Sequence, residues 1–239
     1  MWDTTKDYRL LVAQKSKELY VRTVKSGSFR GHWNKRMALD IAEEMNSDFQ
    51  TLAYSYLEPE DLANTPAISS LKEKINEIVK YLGGDDWANK FLDKTPKDER
   101  ERVEENIAKV KFFIRTISNL KKRIELGSIP DPIVGVDIVV GEIMSISKHG
   151  DNLMICNVNI GKHAIKVITN DLNVKEGNHV GIAILAPVNF LGIVSEGMFL
   201  GDGSNILKEV KGELDSMPKG IPIESLNGTR VLVENFLNK

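Results

Sequence analysis

Apolar residues in the first half of the chain recur every three or four positions, the spacing that places side chains on one face of a helix. The clearest run begins after Thr95-Pro96, a pair typical of a helix start, and ends at Gly127, a typical stop. This spacing predicts one long helix over 96–126. Its stripe fits either a bundle core or a dimeric coiled coil, and consists of Val103, Ile107, Val110, Ile114, Ile117 and Ile124.

Shorter helices are predicted upstream by the same spacing. Thr65-Pro66 opens a helix that Gly83-Gly84 ends. Two further apolar runs, over 10–21 and 37–45, indicate two more helices nearer the start of the chain. An antiparallel helical bundle over residues 1–127 accounts for this pattern.

The pattern changes after Ser128, where Pro130 and Pro132 favour an extended connector over 128–132. Short β-branched runs separated by Gly, Asn and Asp follow, which is typical of strands joined by turns. Strands are predicted over 136–146, 153–160, 164–169, 179–185 and 229–233. The chain is therefore predicted to be a two-domain α+β protein. Its second domain, 133–239, should be a five-stranded β-barrel, since closure removes exposed edges.

Composition narrows the class of protein. Among 239 residues, 41% are hydrophobic and 28% charged, close to a globular average. No apolar run reaches the roughly 18–20 residues of a membrane span, and the first residues lack a secretory signal pattern. Cys156 is the single cysteine, which excludes an intramolecular disulfide. We therefore expect a cytoplasmic protein without membrane contact.

Candidate catalytic groups do not assemble into a set. No two histidines, nor a histidine and Cys156, have the spacing of metal ligands. Ser195 is not a nucleophile elbow, because Ile193 stands where that motif needs glycine. We therefore predict no metal, no cofactor and no enzymatic activity.

A basic segment, residues 20–39, is the most distinctive feature of the first half. It contains no acidic residue, and Phe29, His32 and Trp33 lie among its cations. Cations bind phosphates and aromatic faces stack on bases, which favours a contact with RNA. The alternative is a solvated loop whose Phe29 and Trp33 pack under the bundle. The basic residues are Arg22, Lys25, Arg30, Lys35 and Arg36.

Two motifs of the second half resemble a known family. Residues 136–143 read V-D-I-V-V-G-E-I, and residues 195–198 read S-E-G-M. Their order resembles the tRNA-binding OB-fold domain, found in methionyl-tRNA and phenylalanyl-tRNA synthetases. The resemblance covers about residues 133–235. It implies an OB-fold barrel, tRNA as the partner, and Ser195 and Met198 at the tRNA-contacting surface. OB folds also bind through the loop after the first strand, here Lys148 to Asn152.

The chain departs from this family at positions that usually carry basic residues. They are occupied here by Val139, Ala186, Asn189 and Leu191. Charge is also unevenly divided: residues 1–128 hold 23 of the 32 basic and 21 of the 34 acidic residues, which leaves the rest of the chain acidic. Phosphate contacts supply most of the non-specific affinity for nucleic acids. Because the second half is acidic, we expect these contacts to be made by the basic residues of the helical half.

Two functions from different classes fit these observations. The first is a non-catalytic tRNA- or RNA-binding protein that acts as an accessory factor in trans with an aminoacyl-tRNA synthetase. The second is a protein-interaction or dimerisation scaffold whose barrel has lost RNA affinity. It would form a homodimer or dock on a partner through the long helix or the loop 187–191. Apolar residues in place of charged ones in and just after this loop support it, namely Phe190, Leu191 and Ile193.

Overall fold

The computed structural model describes residues 2–31, 33–202 and 205–239. They form two compact units that divide between Gly135 and Val136. The predicted connector, 128–132, lies just before this division, and its role as a linker stays a prediction.

Helices build the first unit around one apolar core. The helix predicted after Thr65 is confirmed: it begins at Pro66, and Gly83 ends it with a φ of +119°, a left-handed conformation that glycine adopts without strain. The helices are α1 (Tyr8–Lys25), α2 (Lys35–Ala53), α3 (Pro59–Ala63), α4 (Pro66–Leu82), α5 (Trp87–Asp93), α6 (Arg100–Ser118) and α7 (Leu120–Ile124).

The long helix predicted over 96–126 is wrong in its continuity. A 3₁₀ turn, Lys97–Glu99, precedes α6, and the helix breaks at Asn119 before α7. Thr95 does not cap α6, because its hydroxyl donates back to the Phe91 carbonyl of α5. The apolar stripe of α6 and α7 packs within this unit. It is bundle core, and the coiled-coil alternative is wrong.

A buried ion pair joins the two ends of the helical unit. Arg9, which is 0% exposed, donates from Nη2 to Asp7 Oδ2 at 2.6 Å. Its Nη1 donates to the carbonyls of Arg123, Ile124 and Gly127 at 3.1, 3.1 and 2.8 Å. The Arg123 and Ile124 carbonyls also accept from the Leu126 and Gly127 N–H groups, and Arg9 adds a second hydrogen bond to each of them from α1.

The second unit is a five-stranded antiparallel sheet in the order β3-β2-β1-β4-β5. Four predicted strands are confirmed, and the remaining strand, over the S-E-G-M motif, was not predicted. The strands are β1 (Ile138–His149), β2 (Leu153–Asn159), β3 (Ala164–Thr169), β4 (His179–Phe190) and β5 (Ile193–Phe199), followed by the two-residue pair β6 (Gly201–Asp202) and β7 (Asn205–Ile206).

The strand predicted over 229–233 is wrong, because these residues lie in helix α8 (Asn227–Leu237). Thr229 and Val233, at 0% and 1% exposure, are four residues apart and lie on one helical face. Their β-branched side chains favour strands by composition, but burial of this face decides the structure.

The two outer strands of the order, β3 and β5, lie beside one another. In this fully described region they share no backbone ladder, and side chains connect them instead. Ser195 Oγ accepts from the Ile168 N–H at 3.1 Å, and Glu196 Oε1 accepts from the Lys166 N–H at 3.2 Å. The five-stranded sheet is thus established, whereas full closure into a barrel stays a prediction.

The Arg9 hydrogen bonds predict a large loss of stability in Arg9→Ala. The change leaves the Asp7 carboxylate buried without its partner, which costs about 3–5 kcal/mol in such pairs. Urea unfolding followed by tryptophan fluorescence measures this loss, because Trp2, Trp33 and Trp87 all lie in the helical unit.

The exposed Lys72→Ala serves as the control for this measurement. We expect it to unfold within about 0.5 kcal/mol of the wild type. An Arg9→Ala protein as stable as this control would contradict the role assigned to the ion pair.

Candidate nucleic-acid interface

The predicted basic residues surround the connection between α1 and α2. Arg22 and Lys25 lie in the last turn of α1, Arg30 lies in the connecting loop, and Lys35 and Arg36 begin α2. Lys35 is half-buried, and the others are exposed. Cations in the last turn of α1 also compensate the partial negative charge at its C-terminus.

The aromatic residues of this segment are packed inside the helical unit. Phe29, 2% exposed, stacks on Phe91 with 4.6 Å between ring centroids. Trp33 and Trp87 contact Phe29 edge-on. Gly31 passes so close that a Cβ there would lie 2.7 Å from the Phe91 ring. The aromatic rings therefore fix the loop, and the packed alternative is confirmed for Phe29. His32 lies outside the described residues.

Two cations of the segment have acidic partners on α2. Lys25 Nζ lies 3.1 Å from Glu43 Oε1, and Arg36 Nε lies 4.0 Å from Asp40 Oδ2. The hydrogen bond from Lys25 lowers the pKa of Glu43 from its ordinary value. Both pairs are exposed, so solvent screens them and the cations remain accessible to a competing phosphate.

Lys148 and Asn152 lie at the turn between β1 and β2, and both are exposed. Lys148 pairs across the ladder with Met154, close to the turn. The structure therefore presents both side chains at the loop where the sequence predicts a nucleic-acid contact, and the contact itself stays a prediction.

Met198 lies in a groove of about 680 Å³ in the sheet unit. It is half-buried and packs against Gly228 of α8. Phe190, 44% exposed at the end of β4, lines the same groove and is the aromatic residue that sequence reasoning did not assign to RNA. Its lining combines further apolar residues, such as Leu153 and Ile168, with the acidic Asp202 and Glu224.

The placement of Ser195 differs from the one implied by the family resemblance, which put it at the tRNA-contacting surface. Ser195 is 4% exposed, and its hydroxyl donates to the Gly197 carbonyl at 3.0 Å while it accepts from Ile168 of β3. Both hydrogen-bonding functions of the hydroxyl are used. A direct contact with nucleic acid does not fit this placement, and the serine of the motif connects the edge strands.

The positions that lack the family's basic residues have distinct surroundings. Val139 is 3% exposed, so a cation there would be buried. Ala186 is half-buried. Asn189 Oδ1 accepts from the Gly192 N–H at 2.9 Å and thereby closes the β4–β5 turn. Leu191, at the turn, is 84% exposed with a φ of +50°.

Other chemistry is sparse in the described part of the chain. Among residues 2–31, 33–202 and 205–239, no group of three or more His, Cys, Asp or Glu side chains could hold a metal ion. None of the described helices is long and apolar enough to cross a membrane. Burial, followed by the charge of Asp171, raises the pKa of the Cys156 thiol to about 11, which makes it a poor nucleophile.

Comparison with family models assigns both units. Residues 138–225 match the family described as "Putative tRNA binding domain", which confirms the resemblance seen in the sequence. Residues 1–127, more than half of the chain, match the family described as "Alpha helical domain", and the chain belongs to that family. A search of curated proteins finds no match.

The Ser195 hydrogen bonds predict that Ser195→Ala selectively destabilises the sheet unit. The change leaves the Ile168 N–H without its acceptor, which costs about 1–3 kcal/mol. Cys156 is fully buried in β2, so its reactivity with a thiol reagent during urea unfolding reports on the sheet.

We expect the urea midpoint of Cys156 exposure to fall in Ser195→Ala, while the midpoint of tryptophan fluorescence stays that of the wild type. Ser147→Ala, an exposed serine of β1, is the matched control. Equal midpoints of Cys156 exposure in the two variants would contradict the connecting role of Ser195.

Proposed function

We propose that this chain is a non-catalytic RNA-binding protein whose ligand is tRNA or a similarly structured RNA. The match of residues 138–225 to the tRNA-binding family carries the proposal. The exposed cations of the helical unit support it, because they supply the phosphate contacts that the acidic sheet unit lacks.

The sheet unit acts in this proposal as an OB-type barrel. Its strand order and the hydrogen bonds from Ser195 and Glu196 to β3 fit a barrel that closes through side chains. OB folds bind nucleic acids on the face of strands 2 and 3 and on the loops after strands 1 and 4. Asn152 lies in the first loop and Lys148 lies just before it at the end of β1. Phe190 and Met198 line the groove that would receive a base.

The helical unit contributes electrostatic affinity. Its phosphate contacts are made by the basic residues around the α1–α2 loop: Arg22, Lys25, Arg30, Lys35 and Arg36. Packing of Phe29 against Trp33 and Phe91 keeps this loop rigid. A fixed loop loses less conformational freedom on binding than a mobile one. The packed rings do not stack on bases, so this contact is independent of sequence.

The chain acts as an accessory factor in trans with an aminoacyl-tRNA synthetase, since the matched domain type also occurs fused to such enzymes. The unpaired and buried Cys156 fits the reducing environment of the cytoplasm. No catalytic step is assigned to any residue.

A second candidate function is a scaffold that binds another protein or a second copy of this chain. The exposed apolar tip of the β4–β5 hairpin favours it: Val188, Phe190 and Leu191 are 46%, 44% and 84% exposed. Isolated exposed apolar residues are common, but three together at a hairpin tip mark a surface that binds something apolar. Both a nucleotide base and an apolar side chain of a partner protein are suited to cover these three residues.

The proposal predicts saturable binding of total tRNA by the full chain, measured by fluorescence anisotropy of labelled tRNA at several salt concentrations. Arg30→Gln combined with Arg36→Gln should reduce the slope of log K against log salt by about 0.7–0.9 for each lost phosphate contact. Phe190→Ala should weaken binding by about 1–3 kcal/mol without changing that slope.

Lys72→Gln combined with Lys80→Gln removes the same charge from exposed positions of α4 and is the control. No saturable binding at micromolar protein would contradict the proposal. A dimer or protein complex that Leu191→Asp disrupts, in a chain that does not bind tRNA, would establish the scaffold instead.

A further inference from the structure

A cleft of about 400 Å³ lies between α1 and α6 of the helical unit. Arg22, near the end of α1, lines one side, and Arg102 and Lys109 of α6 line the other. Sequence reasoning included Arg22 but not Arg102 or Lys109, because more than seventy residues separate them along the chain. Only the packing of α1 on α6 brings them to one cleft.

Polar groups hold the connecting loop against this cleft. Asn106, 5% exposed, donates from Nδ2 to the Ser28 carbonyl and to Ser28 Oγ, both at 3.2 Å. Ser28 Oγ in turn lies 2.6 Å from Ser26 Oγ, which donates to the Thr23 carbonyl at 2.8 Å. This network joins the end of α1, the loop and α6, so the walls of the cleft are preorganised.

The charge of the cleft is positive and only partly compensated. Lys109 Nζ lies 2.5 Å from Glu105 Oε1, which neutralises that cation. Neither Arg22 nor Arg102 has an ion pair among the described residues, and both are exposed. Glu105 also lines the cleft, so its three cations face one carboxylate, which pairs with Lys109, and the cleft keeps a net positive charge. The positive charges of the two arginines repel each other unless an anion or solvent screens them.

The helix terminus at which Arg102 lies does not stabilise its charge. Arg102 lies in the first turn of α6, where the partial positive charge of the helix N-terminus disfavours a cation. Arg22 differs, since the last turn of α1 favours a cation.

We infer that this cleft binds a phosphate group of an RNA backbone, with Arg22 and Arg102 as its principal donors. The inference rests on the proposed function and adds a defined site to it. The planar guanidinium offers paired N–H donors that match two phosphate oxygens, which makes two convergent arginines a suitable receptor for a phosphodiester. The cleft is larger than one phosphate, so the adjoining ribose fits with it.

The test compares Arg22→Gln combined with Arg102→Gln with the control Lys72→Gln combined with Lys80→Gln, which loses the same charge from α4. Labelled total tRNA is titrated by anisotropy over a range of salt concentrations, and thermal melts check that both proteins fold. The cleft variant should bind roughly tenfold more weakly than the control, because it loses charge-assisted hydrogen bonds that the control keeps. Its salt slope should fall by about 0.7–0.9, the value of one phosphate contact.

The outcomes separate this inference from the proposed function. If wild-type protein binds tRNA and the cleft variant binds like the control, the inference is overturned and the proposed function stands. If wild-type protein shows no saturable binding, both fail. Millimolar AMP provides a second arm, in which the melting temperature is measured. If AMP stabilises the wild type as strongly as tRNA does, and does not stabilise the cleft variant, the cleft is a mononucleotide site. That result would overturn the assignment to an RNA backbone.

Discussion

The buried pair of Asp7 and Arg9 is the interaction on which the helical unit depends. Arg9 pairs with Asp7 at the start of α1 and donates to three carbonyls, two at the end of α7 and one at Gly127, three residues further on. A buried charge of this kind is stable only if each of its N–H donors has an acceptor. This requirement fixes the start of α1 against the end of α7. Further along α1, Tyr20 stacks on Phe113 of α6 at 4.6 Å and continues the same alignment.

This alignment has a functional consequence at the other end of α1. It determines which side chains of α6 meet the last turn of α1, and hence which cations share a cleft. The sheet unit depends on a different interaction. Between β3 and β5, which share no backbone ladder, the side chains of Ser195 and Glu196 accept hydrogen bonds from backbone N–H groups of β3. In both units, residues with polar side chains position the candidate RNA contacts, and most of them are not contacts themselves.

Local signals predict much of the fold but little of the site. Thr65-Pro66 and Gly83 define α4 because helix starts and stops are set by a few neighbouring residues. The helix over 227–237 was missed because burial of Thr229 and Val233 overrides their β propensity. No glycine or proline marks the break at Asn119, where Arg123 Nη2 donates to the Thr116 carbonyl in the last turn of α6. Within the site, the sequence identifies the basic segment by composition. It does not reveal that Phe29 is packed or that Arg102 adjoins Arg22, since both follow from tertiary contacts.

The central claim is that both units of this chain contact one class of ligand, structured RNA. Ultraviolet crosslinking of the full chain to tRNA, with the crosslinked peptides mapped by mass spectrometry, tests it most directly. The account predicts crosslinks within 19–36 or 102–109 of the helical unit and within 148–153 or 188–198 of the sheet unit. Crosslinks confined to the α4 and α5 surface over 66–93, or none above the level of an unrelated acidic protein, would contradict it.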